Sequence, residues 1–337
     1  NDDISVDVYE NLIKSVSENI PALDKYIDLK KKFLGLDEIH MYDLYVPLTG
    51  DFDMKITYDE AKEIILEALK PLGEEYLSHI KDAFENGWID VYENEGKQGG
   101  AYSWGCYDSK SYILMNYHDD LNSLFTLIHE LGHSMHSTYS KSTQDYLYSS
   151  YKIFVAEVAS TLNELLLINY LLKKSTSKEE KIYLLNYYLE QFRTTVYRQT
   201  MFAEFEKITH ETVESGEPLT AEGFTDIYYK LNEKYYGNSC VVDKQIGLEW
   251  ARIPHFYSNF YVYKYATGFS AASALSKQIL EEGESAVSRY KEFLKSGGSE
   301  FPLDQLRKAG VDMEKKESVD EALHVFKDLV KQLEKEL

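Results

Sequence analysis

The chain has 337 residues, 44% of them hydrophobic and 28% charged, with a formal net charge of −21. This is the composition of a globular protein of one large domain or two smaller ones, and it excludes a disordered chain. So large an acidic excess repels nucleic acid phosphates and anionic membranes, which argues against both as partners.

The opening stretch, NDDISVDVYENL, is acidic and polar and is not expected to be a signal peptide. From Val8 a helical period sets in, with Val8, Leu12 and Val16 and then Leu23 and Ile27 at three- and four-residue spacing, and Gly35 is its expected stop. Pro47 and Gly50 argue against helix in DEIHMYDLYVPLTGDFDMKIT. Helix resumes in TYDEAKEIILEALKPLGEEYLSHIKDAFENGW, where Thr57 and Glu60 fit a capping box. The stretch IDVYENEGKQGGAYSWGCYDSKSYILMNYHDD is rich in Gly, Tyr and Ser, and it is the one β-prone region. Long helical runs follow: YKIFVAEVASTLNELLLINYLLKK, then one unbroken stretch from Ser177 to Gly216, then TAEGFTDIYYKLNEKYYG. The run ELLLINYLL is too short for the roughly 20 apolar residues of a membrane span. A mixed segment, GLEWARIPHFYSNFYVYKYATGFS, precedes a helical C-terminus. Cys106 and Cys240 belong to no CxxC or close Cys/His pair, so free thiols in a reducing, cytoplasmic setting are expected.

The stretch TLIHELGHSMHSTYS carries the chemistry. On a helix at about 100° per residue, Leu124, Leu127, Leu131 and Met135 share one side. His129 and His133 lie nearly opposite, flanked by Phe125, Gly132 and His136. Asp119, Asp120 or Asn122 can cap the start. Two imidazoles at i and i+4 can reach one zinc ion, and Glu130 stands beside them, placed to take a proton from water. HELGH thus fills every position of HExxH. Gly132 lets another element approach closely. His136, about 10 Å along the axis from His129, is too far to share the ion and is read as a group supporting the ligands or facing substrate, or else as a solvated residue.

A catalytic zinc usually has three protein ligands. The arrangement with a third His six residues after the second fails, because Tyr139 stands there. Glu157 is a lone carboxylate among Phe154, Val155, Ala156, Val158 and Ala159, costly to bury unless paired or metal-bound, and it is the candidate third ligand. Glu164, two turns on along the same face, either accepts a hydrogen bond from a ligand His or stands exposed to solvent.

The ordered set HELGHSMHS, FVAEVASTLNE and PHFYSNFYVYKYATG, with HMYDLYVP, GKQGGAYSWGCYD and YILMNYHDDLNSLFTLIHELGHSMHS, resembles the oligoendopeptidase F branch of the thimet oligopeptidase family of zinc peptidases. The resemblance covers nearly the whole chain. It implies one mainly α catalytic domain over residues 1–337, with one small β-sheet beside the HExxH helix and halves flanking a deep channel for short peptides. It implies one zinc ion held by His129, His133 and Glu157, Glu130 as general base, and His255, Tyr257 and Tyr263 contacting the substrate or its oxyanion. Family members are longer at the N-terminus, so the chain is expected to be the C-terminal catalytic portion.

The expected reaction is endopeptidase hydrolysis of short, unstructured oligopeptides. Glu130 removes a proton from the attacking water and delivers it to the leaving amine. The SYILMNY strand is expected to pair with an extended peptide as an edge strand, with GKQGGAYSWG closing over it. An exopeptidase would need a cation or an acidic pair to fix a free terminus, and Arg193, Arg198 and Arg252 are its candidates. A non-enzymatic protein with a structural zinc would usually offer four Cys/His ligands, and these cysteines are poorly placed for that.

Overall fold

The computed structural model describes residues 3–49 and 54–337. Its helices, in chain order, are α1 (Val6–Glu18), α2 (Ile20–Leu34), α3 (Tyr58–Ala68) and α4 (Gly73–Glu85), then α5 (Leu121–Thr143) and α6 (Ile153–Lys174). There follow α7 (Lys178–Phe192), α8 (Arg198–Glu214), α9 (Ala221–Tyr236), α10 (Tyr263–Glu282), α11 (Glu284–Lys295), α12 (Pro302–Ala309) and α13 (Lys316–Glu336). Three short strands, β1 (Ile89–Asp90), β2 (Tyr102–Trp104) and β3 (Tyr112–Leu114), stand between α4 and α5. The fold is mainly α with one small sheet, as expected.

The chain divides into two compact units. The first holds α3 to α6, the sheet, α10 from Ala271 onward, α11 and α12. The second holds α1, α2, α7 to α9, the segment up to Ser270, and α13.

In the first unit, α5 is capped by Asp120, whose side chain accepts from the Ser123 amide. Its leucine side, Leu124, Leu127, Leu131 and Met135, is fully buried; each such side chain contributes about 1.5–3 kcal/mol of burial. Gly132 is where α6 comes closest: a Cβ there would lie 2.5 Å from Ser160 Cα and 2.8 Å from the Ala159 carbonyl oxygen. The Asn163 side chain donates to the Ile128 carbonyl, so residues rise along α5 as they fall along α6, and the two helices run antiparallel. The capping box at Thr57 is formed with Glu60, and Gly35 ends α2 in the left-handed region.

The structure departs from the sequence reading at several points. The strand order is β1-β3-β2, so β3, within SYILMNY, is the central strand and both its edges are taken. Its partners are β1 in parallel and β2 antiparallel, with Tyr102 opposite Leu114. The edges are instead β1 and β2, the latter inside the Gly-rich stretch read as a closing loop. The first helical stretch breaks at Asn19, because Pro21 in the first turn of α2 suits a new start. The stretch from Ser177 to Gly216 is broken by a π-helical turn over Arg193–Tyr197, where the buried Arg193 side chain meets Glu190. Helix α6 is, by length and composition, apolar enough to cross a membrane, and 67% of its apolar stretch is buried. The absence of helix at Pro47 holds, and Gly50 lies outside the described residues.

Candidate metal centre

His129 and His133 face one side of α5 one turn apart, and Glu157 on α6 meets them. The two Nε2 atoms are 3.2 Å apart, and Glu157 Oε2 is 3.5 Å from His129 Nε2 and 3.8 Å from His133 Nε2. A tetrahedral ion with bonds of about 2.0–2.2 Å spaces its ligand atoms roughly 3.2–3.6 Å apart. Two sides of the observed triangle fall in that range and the third, from His133 to Glu157 at 3.8 Å, is slightly longer. The spacing also needs explaining without an ion, because two imidazole nitrogens that close repel unless a proton or a cation lies between them.

The other ring nitrogens are already engaged. His129 Nδ1 lies 2.6 Å from Glu164 Oε1, and the Ala156 carbonyl accepts from the His133 ring. Both rings are therefore held with Nε2 turned toward Glu157, the orientation that a metal-binding histidine takes from its supporting partner. Burial disfavours charge on His129, but the Glu164 carboxylate outweighs it and lifts the ring to about 9. His133 goes the other way: burial, then repulsion from His129, depresses it to about 3. Without metal the pair shares one proton, held on His129.

Glu130 is buried on the same helix, and burial raises its carboxyl above the ordinary carboxylate range. It accepts a hydrogen bond from the Ser103 amide of β2. The Ser103 hydroxyl also meets that of Ser134, 2.8 Å away, which ties the sheet edge to α5. Tyr102 and Trp104 on β2 are exposed.

His136 does not face substrate or solvent. It is wholly buried, with its ring stacked on Tyr151 at 3.7 Å, and neither ring nitrogen has a hydrogen-bond partner among the described residues. Burial depresses it to about 3, so it is neutral packing. Its place beside Tyr151 depends on how the chain returns after α5, which helical spacing does not reveal.

His255, Tyr257 and Tyr263 belong to the second unit. His255 is exposed on a short 3-10 turn, with its Nε2 3.4 Å from the Tyr265 hydroxyl and its ring 5.8 Å from that of Tyr261. Tyr257 is 90% exposed. Tyr263 is buried, with its ring 5.0 Å from Tyr9. Tyr265 is thus the hydroxyl that the structure adds to the candidates. Its signal in the sequence was only its place in a crowd of alternating tyrosines.

The three arginines considered for a peptide terminus line a cavity of about 500 Å³ in the second unit. Each is already committed: Arg193 to Glu190, and Arg198 and Arg252 to a shared Glu249.

Known proteins match nearly the whole chain. The family model for peptidase family M3 matches residues 1–325. The chain belongs to peptidase family M3. This M3 chain is 56% identical over 334 residues to oligopeptidase PepF of Bacillus subtilis, covering 99% of itself and 50% of that protein. It is 47% identical over 328 residues to chromosomal oligoendopeptidase F of Lactococcus lactis subsp. cremoris, covering 97% and 54%. The crystal structure of oligoendopeptidase-F from Enterococcus faecium superposes with a TM-score of 0.78 at 40% identity, covering 100% of this chain and 54% of that one. The M3 chain therefore spans about half the length of these relatives.

Proposed function

We propose that this chain is the catalytic part of a zinc-dependent endopeptidase that hydrolyses internal bonds of short, unstructured oligopeptides. The observation that carries the reading is the His129, His133 and Glu157 cluster, its ligand atoms mutually within 4.8 Å, with Glu130 alongside. Those three residues would hold one zinc ion. When bound, zinc supplies Lewis acidity and brings the ionisation of water down toward about pH 7.

The chain's own residues do the rest. Glu130, whose carboxyl burial raises above the ordinary range, takes a proton from the attacking water and passes it to the leaving amine. Glu164 holds His129 in the ligand tautomer. The open edge of β2 offers backbone groups to an extended peptide, in place of the β3 strand expected from sequence. His255, Tyr257 and Tyr263, with Tyr265 joined to His255, are the proposed contacts to the substrate and its oxyanion; removing one such donor typically costs about 10²–10³ in rate. Cytoplasmic residence, in keeping with the free thiols Cys106 and Cys240, belongs to the same reading.

The test is an internally quenched peptide with blocked ends, incubated with this chain with and without zinc. Zinc-dependent cleavage inside the peptide is expected. Glu130→Gln is expected to keep its zinc, by metal analysis, and lose cleavage; near-parental turnover in that variant would remove Glu130 as the base.

A further inference from the structure

The segment of the second unit that carries His255 and Tyr257 is held in an unusual way. Phe260 adopts φ +53°, and no glycine stands there. A bulky residue in the left-handed region is strained and persists only where its surroundings impose it. The Phe260 amide donates to Glu206 Oε1 at 2.9 Å. Glu206, on α8, is only 4% exposed and pairs with no cation among the described residues, and its second oxygen has no hydrogen-bond partner there. Burial, partly offset by the Phe260 amide, pushes its carboxyl up to about 7. A carboxyl is an expensive group to bury for one backbone bond, and a hydrophobic side chain would pack there more cheaply.

The cavity behind the segment explains the need. A space of about 350 Å³ lies between α8 and the chain at Trp250, Ile253, Phe256 and Tyr257. On that side the Phe256 ring packs against Phe202 and Phe205 of α8 beside the cavity, and Phe260 itself is not reached by that packing. On the other side, the Phe260 ring rests against His210 at 4.6 Å and Tyr9 at 5.7 Å, and Tyr9 in turn meets Tyr263. The Glu206 bond is a polar tie from α8 to the one residue of this stretch held in the left-handed region.

We propose that Glu206 is a positioning residue: its carboxyl clamps the Phe260 amide in the left-handed conformation and so sets where His255, Tyr257 and Tyr265 stand for catalysis. What the segment does rests on the peptidase reading; how it is held does not.

The experiment compares Glu206→Ala and Glu206→Gln with the parent chain, well below the melting temperature of each. Amide hydrogen exchange over residues 254–263, kcat and KM on the quenched peptide, and zinc content are measured. Glu206→Ala should exchange at least about ten-fold faster across that segment and lose ten-fold or more in kcat at unchanged zinc content. Glu206→Gln keeps the acceptor and should restore both. Parental exchange or parental kcat in Glu206→Ala, or a Gln variant as impaired as Ala, overturns the clamp. A zinc-loaded parent that cleaves nothing overturns the peptidase reading, and with it the clamp's catalytic purpose, while the exchange data still decide whether the clamp exists.

Discussion

Gly132→Ala tests the centre through its backbone. The added methyl would stand 2.5 Å from Ser160 Cα and 2.8 Å from both Ser160 N and the Ala159 oxygen. All three atoms are main chain, so no side chain can step aside. Ordinary contact begins near 3.5 Å, so α5 and α6 must part by roughly 1 Å. That separation falls between His133 and Glu157, whose atoms are 3.8 Å apart. Overpacking costs about 1–3 kcal/mol, and the better helix propensity of Ala returns about 1 kcal/mol. A net loss of up to about 2 kcal/mol is expected, together with weaker zinc retention and about 10²-fold lower kcat/KM from the misplaced ligands. The control is Gly223→Ala in α9, where the new methyl meets only side-chain atoms at 3.7–3.8 Å, and which should be neutral or slightly stabilising. Thermal melting, zinc analysis and peptide turnover read the three effects. A Gly132→Ala variant with parental melting, zinc and turnover would refute the close approach as the device that sets the ligand spacing.

Three further outcomes follow from the same geometry. Glu157→Ala should lower zinc occupancy by metal analysis, whereas unchanged occupancy would put the third ligand elsewhere. Glu164→Ala should weaken zinc binding about 10- to 100-fold in a chelator competition, because the His129 ring loses its orienting partner. Zinc uptake at pH 7 by the metal-free chain should release about one proton, read from calorimetry in buffers of different ionisation enthalpy. The sign follows from His129: raised to about 9, it is protonated at pH 7 and must lose that proton to bind, so affinity rises with pH until about 9.

Local signals in the sequence were reliable where the physics is local. The caps at Thr57 and Asp120, the stop at Gly35 and the apolar side of α5 depend on residues within a turn or two of one another. Glu157 was legible because a carboxylate on an apolar helix needs a reason, whereas Glu164 could equally have been an exposed acid until His129 was seen against it. Strand order was not legible. The β3 run has the more β-prone sequence, yet its two neighbours come from Ile89 and from the Gly-rich stretch, and pairing decides which strand is central. His136 failed for a similar cause, since only the returning chain at Tyr151 buries it. Glu206 gave no signal: an acid in FAEFEK looks like any solvated helical residue until the Phe260 amide is seen against it.

The antiparallel pairing of α5 and α6 has a consequence for how the centre comes into being. His129, Glu130, His133, Glu157 and Glu164 all lie on one pair of consecutive helices joined by a short connection. Bringing them together requires closing a single short loop, whose entropic cost is small, and no contact from a distant part of the chain. A metal ion that binds this hairpin stabilises it in proportion to its affinity, so the ion can act on folding before the rest of the chain is in place. The candidate triad would in that sense clasp the α5–α6 hairpin as well as serve the proposed chemistry.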